Sequence, residues 1–82
     1  MAEMYVHGHT VTEEIQSALL LKMKSSPFRA YTLEAEAVRL GLPSLTANKE
    51  PVAMRVADRI IQRERKAGNL EWRRPNWVWI GA

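Results

Sequence analysis

Residues 48–67 constrain this chain more than any other stretch, because they read as one helix with two opposed sides. At about 100° per residue, Arg55, Arg59, Gln62, Arg63 and Lys66 fall within roughly 100° of arc, and Ala53, Val56, Ala57, Ile60 and Ile61 lie opposite. Only Asp58, on one flank, puts an acid beside the basic stripe. Such a helix buries one face and leaves the other in water, so the rest of the chain must supply a body for the apolar side. Asn48 is a good cap, Pro51 is tolerated in a first turn, and Gly68-Asn69 stops the helix.

The body is predicted from the remaining segments. Residues 1–9 read as a short arm preceding a single domain over 10–82, with Met4-Tyr5-Val6 apolar enough to dock. A capping box at Thr10-Val11-Thr12-Glu13 predicts a first helix from Thr10, with Val11, Ile15, Ala18, Leu19 and Met23 on its inner face. Leu20 and Leu21 lie off that stripe, so they are covered by the chain itself or form a dimer face. Ser25-Ser26-Pro27 ends the helix, and Phe28-Arg29-Ala30-Tyr31 alternates as a short strand. A second helix over 32–40 is capped by Thr32, buries Leu33, Ala37, Val38 and Leu40, and stops at Gly41 before Pro43.

Leu70-Glu71-Trp72-Arg73 and Trp77-Val78-Trp79-Ile80 alternate around Arg74-Pro75-Asn76 and predict a hairpin. With Pro75-Asn76 as a two-residue connection, Leu70, Trp72, Trp77 and Trp79 share one face; a three-residue connection would instead bury Leu70, Trp72, Val78 and Ile80. Trp72 is expected in the core on either register, whereas Trp77 and Trp79 stay open between packing and stacking on bases.

Composition narrows the functional classes. A chain of 82 residues buries only about 60% of its extended surface, which leaves little room for an enclosed catalytic cavity. There is no cysteine, hence no disulfide and no thiolate zinc site. His7 and His9 have no third ligand nearby, so no metal is expected. No nucleophile motif, paired carboxylates in an apolar setting or glycine-rich phosphate loop is evident, so neither an enzyme nor a cofactor is expected. No apolar run nears the ~20 residues of a membrane span, and the N-terminus lacks a signal-peptide layout, so a cytoplasmic location is the default. The net charge of +3 is unevenly placed: residues 1–45 carry −1 and residues 46–82 carry +4. A basic half on a near-neutral body suits an anionic partner on one side.

Two stretches carry a resemblance. Tyr31-Thr32-Leu33-Glu34-Ala35-Glu36-Ala37-Val38-Arg39-Leu40-Gly41-Leu42 resembles the second helix of the winged helix-turn-helix superfamily. Val56-Ala57-Asp58-Arg59-Ile60-Ile61-Gln62-Arg63-Glu64-Arg65-Lys66-Ala67-Gly68-Asn69-Leu70 is similar to its third helix running into the first wing strand. The resemblance spans about residues 10–80. It implies a mostly helical α+β fold, three helices plus a C-terminal β-hairpin wing, with the third helix in the major groove of double-stranded DNA and the wing on the backbone. Lys49, Arg55, Arg59, Gln62, Arg63 and Lys66 are then the candidate DNA contacts, with Arg73 and Arg74 in the wing. The expected function is transcriptional or mobile-element regulation, of the small stand-alone kind found in prophages, with a homodimer as an option. The turn at 42–48 is longer than the family's usual one. The alternative is a protein-interaction module on the same scaffold, using Leu20, Leu21 and Trp79 as its sticky surface.

Overall fold

The computed structural model describes residues 3–81. The elements run β1 (Met4–Val6), β2 (His9–Val11), α1 (Glu13–Ser25), α2 (Ala30–Arg39), α3 (Ala53–Lys66), β3 (Leu70–Arg73) and β4 (Asn76–Trp79), a small α+β domain of three helices and two antiparallel hairpins.

The segment read as an arm is a hairpin. Met4 pairs with Val11 and Val6 with His9, across a two-residue turn at His7-Gly8. The positive φ angles of that turn, 48° and 80°, suit the right-handed twist of the strands. Val6 and Val11 point into the core and are fully buried. The start predicted for the first helix is corrected accordingly. Thr10 and Val11 are spent on β2, and Thr12 is the cap, its hydroxyl accepting from the Ile15 N–H at 3.2 Å.

α2 begins two residues before the predicted position. Thr32 does not cap it from outside; it sits inside the first turn, and its hydroxyl oxygen accepts from the Arg29 N–H at 3.2 Å. The predicted strand over 28–31 therefore shrinks to one bridge. Phe28 exchanges both backbone hydrogen bonds with Trp77, at 3.0 and 2.8 Å, and so adds a third position beside β4.

α3 starts at Ala53, five residues after the predicted cap. Residues 45–51 are held in a loop of their own, in which Leu45 bridges Pro51 and the Thr46 hydroxyl accepts from the Glu50 N–H at 3.0 Å. Both predicted glycine stops hold for one reason. Gly41 and Gly68 have φ of 109° and 81°, and the N–H groups of the two residues from each glycine bond back to the last helical turn. At the second stop Asn69 N–H reaches the Glu64 carbonyl at 2.9 Å, and the Asn69 side chain donates to the Glu64 carboxylate at 2.9 Å. The Asn69 carbonyl then accepts from Ile80 N–H at 2.8 Å, which ties the end of α3 to the root of the C-terminal hairpin.

The core is built from Val6 and Val11 of the N-terminal hairpin, Leu19 and Met23 of α1, Phe28 before α2, Leu33 and Ala37 of α2, Leu42, Val52, then Ala53, Val56, Ala57, Ile60 and Ile61 of α3, and Leu70. The small residues at 53 and 57 let α2 approach α3 closely. Among the described residues, no helix is long and apolar enough to cross a membrane.

The C-terminal hairpin pairs Leu70 with Trp79 and Trp72 with Trp77 across a two-residue connection, which is Arg74-Pro75 and not the expected Pro75-Asn76, because Asn76 is already paired with Arg73. Leu70, Trp72, Trp77 and Trp79 thus share a face. Their burial is graded: Leu70 is in the core, Trp77 and Trp79 pack partly against it, and Trp72 is 51% exposed. The expectation of a core Trp72 is corrected. Register fixes its face, but the bridge from Phe28 to Trp77 sets β4 beside the body and leaves β3, which carries Trp72, as the outer strand.

Candidate nucleic-acid interface

α3 places its apolar side inward as its sequence dictates, and the opposite side faces water. Arg55, Asp58, Arg59, Arg65 and Lys66 are exposed, and Gln62 lies half-buried among them. The side chains of Arg55 and Lys66 make no hydrogen bond or ion pair among the described residues. The side chain of Lys49, exposed in the preceding loop with φ of 63°, is likewise without one.

The other members of the stripe have partners within the chain. Arg59 donates to the Tyr5 carbonyl at 2.9 Å, which pins the outer edge of β1 alongside α3. The same hairpin is held near the start of α3 by His7 Nδ1, 3.0 Å from a Glu50 carboxylate oxygen. Arg63 turns inward. Its Nη1 donates to Gln16 Oε1 at 2.8 Å and its Nε to the Glu64 carboxylate at 2.9 Å. Gln62 accepts from Arg65 Nε at 2.9 Å. Placing Arg63 among outward contacts followed from its angle on the helix, which gives direction but not the neighbour met there.

Arg73 and Arg74 are exposed at the far end of the C-terminal hairpin. The Arg73 guanidinium bonds to the Glu71 carboxylate on the same strand, whereas Arg74 has no partner among the described residues. Arg65 falls outside the stripe, about 60° beyond Gln62 on the Asp58 flank, and was not among the sequence candidates. It adds a fourth exposed base to α3 against one exposed acid, Asp58. An arginine can give one N–H to a carbonyl and still present the rest of its fork, so Arg59 stays available to an anion.

The residues named as a sticky surface part company. Leu20 packs against the core, and Trp79 is half-buried with the Lys24 ammonium 4.9 Å over its ring. Leu21 is 69% exposed and rims an open groove of about 310 Å³ between α1 and α2, with Ala18, Lys22, Ser25, Glu36 and Arg39. In that groove the Arg39 guanidinium bonds to Glu36 at 2.9 and 2.5 Å and holds its carboxyl below the usual range. Among the described residues, no group of three or more His, Cys, Asp or Glu side chains is arranged to hold a metal ion.

The three helices with a hairpin at each end define a small α+β domain with a cationic helix face. Comparison with protein-family models, with curated proteins and with solved structures finds no match for the chain.

Proposed function

We propose that the chain is a DNA-binding module of winged-helix type that offers the exposed face of α3 to the major groove of double-stranded DNA, as a regulator of transcription or of a mobile element. The observation that carries this reading is one helix whose inner side is fully buried and whose outer side presents Arg55, Arg59, Gln62 and Lys66 together. Guanidinium forks match phosphate oxygens and the guanine edge, and an amide matches adenine. The order of elements supports it: Phe28 beside β4 and β4 beside β3 make a small sheet, and the C-terminal hairpin follows α3 in the chain as a wing would. Arg55, Lys66 and Arg59 lead the set of contacts, with Lys49 and Arg74 at its margins; Arg63 is a structural member.

The test is fluorescence anisotropy of the purified chain on mixed-sequence duplex DNA over a range of salt. Several neutralised phosphates give an affinity that falls steeply and linearly on a log–log plot against salt. Absence of salt-dependent binding would reject the reading. A protein partner is the second reading, and the exposed Leu21 beside the α1–α2 groove favours it. In that case Leu21→Ser abolishes capture of the partner and leaves DNA affinity at the wild-type level.

A further inference from the structure

The tip of the C-terminal hairpin carries chemistry that groove docking by α3 does not use. Trp72 belongs to the hairpin's apolar face, whose other members pack against the core, yet half of it stands in water. Its ring is supported by Trp77 in an edge-to-face contact, with centroids 5.2 Å apart and planes at 62°. Trp77 is in turn fixed to the body by the paired backbone bonds with Phe28. The exposed indole is therefore mounted on the core through two successive residues, so little side-chain freedom is left to lose on binding.

Arg74 lies in the turn two residues on, exposed and with no side-chain partner among the described residues. Glu71 is matched by Arg73. A supported flat aromatic beside unmatched positive charge is the combination that grips single-stranded nucleic acid, where bases stack on the ring and phosphates meet the cations. In an intact duplex the base faces are covered by their neighbours and only the edges are offered. An exposed indole face gains most from a base that is already unpaired.

We propose that Trp72 is a stacking platform for an unpaired base, with Arg74 neutralising the adjoining phosphate, so that the chain prefers duplex DNA flanked by a single strand over duplex alone. The proposal rests on the nucleic-acid reading above but not on α3 entering a groove.

The experiment titrates the full chain against three labelled probes: a blunt duplex of about 20 base pairs, the same duplex with a 3′ overhang of about eight thymines, and the thymine strand alone. The wild type is expected to bind the overhang probe roughly 5- to 150-fold more tightly than the blunt one, the range for one stacked base. Trp72→Ala removes that advantage, Trp72→Phe keeps most of it, and Trp72→Leu does not restore it. Circular dichroism and thermal midpoints check that the variants stay folded. Equal binding of blunt and overhang probes by the wild type overturns the proposal, and so does an advantage that survives Trp72→Ala. Rescue by Trp72→Leu also overturns it, because apolar area alone then suffices. Overhang binding that needs Trp72 while the blunt duplex is not bound upholds the platform and rejects groove docking by α3. Blunt-duplex binding weakened by Arg55→Ala, with no overhang advantage, does the reverse. Failure to bind any of the three probes rejects both.

Discussion

The Arg63 guanidinium donates to the side-chain oxygen of Gln16 at 2.8 Å, a link between α3 and α1 across 47 positions of sequence. Gln16 is fully buried and uses its amide nitrogen on the Val11 carbonyl at 3.2 Å, so the same bridge extends to the N-terminal hairpin. A hydrogen bond from a charged donor to a buried amide contributes more than a neutral one does. Arg63→Ala is expected to lower stability by about 1–2 kcal/mol. A urea titration checks this as a lower midpoint with unchanged slope. An Arg63→Ala chain with the wild-type midpoint and weakened DNA binding would put Arg63 back on the outward stripe.

Glu36 gives the fold a modest acid sensitivity. The hydrogen bonds from Arg39 are the main cause of its lowered pKa, partial desolvation opposes them, and the charges of Arg39 and Lys22 add to the lowering. A carboxyl depressed in the folded state stabilises the fold above its unfolded value, and that contribution disappears as pH falls through the folded value. The window thus opens near 4.5 and extends below it. Glu36→Gln is expected to melt slightly below the wild type at neutral pH, with the gap closing under acid. The effect is small, since this is an i,i+3 pair at the surface. Thermal midpoints of both proteins across the carboxylate range check it, and a gap that widens on acidification contradicts the assignment.

Phe28 is where the helices and the C-terminal hairpin meet. Its ring is buried and its backbone holds Trp77 by two hydrogen bonds. Phe28→Ala keeps those bonds but opens a cavity among close-packed neighbours, at about 3–5 kcal/mol. For a domain this small that is comparable with the whole stability, so the variant is expected to be largely unfolded at 37 °C. Phe28→Leu should lose much less. A cooperative melt of Phe28→Ala within a few degrees of the wild type would show that the site collapses around the gap.

What the sequence made legible, and what it did not, follows from the kind of signal each residue carries. The two sides of α3 and the stops at Gly41 and Gly68 are local properties, set by spacing and by backbone sterics, and they were readable. The face shared by Leu70, Trp72, Trp77 and Trp79 was one of two that the alternation allowed, because the length of the connection decides the register and alternation alone does not set it. The N-terminal hairpin was missed because each strand is three residues long and its turn, His7-Gly8, is a weaker signal than asparagine-glycine. Thr10 imitated a cap that belongs to Thr12, since both threonines precede the same acidic first turn. The partners of Arg63 and the exposure of Trp72 were not legible for a shared reason: periodicity tells which way a side chain leaves its element, not whether another part of the chain is waiting there.

That same distinction gives the sharpest test of the proposed interface, because Arg55 and Arg63 look alike on a helical projection and differ in the folded chain. Arg55 and Lys66 have no partner among the described residues, so replacing either with alanine removes no contact of the fold. Stability should stay within about 0.5 kcal/mol of the wild type. On the DNA reading each change should weaken binding, by about 1–3 kcal/mol where the side chain reads a base. Where it meets only phosphate, the loss should be uniform across sequences, with the salt slope reduced by about one. Anisotropy titrations at several salt concentrations, beside urea melts of the same preparations, separate the two residues: Arg55→Ala moves the binding curve alone, and Arg63→Ala moves the melt. If Arg55→Ala and Lys66→Ala both bind as the wild type does, the exposed face of α3 is an ordinary solvated surface, and DNA is not what it meets.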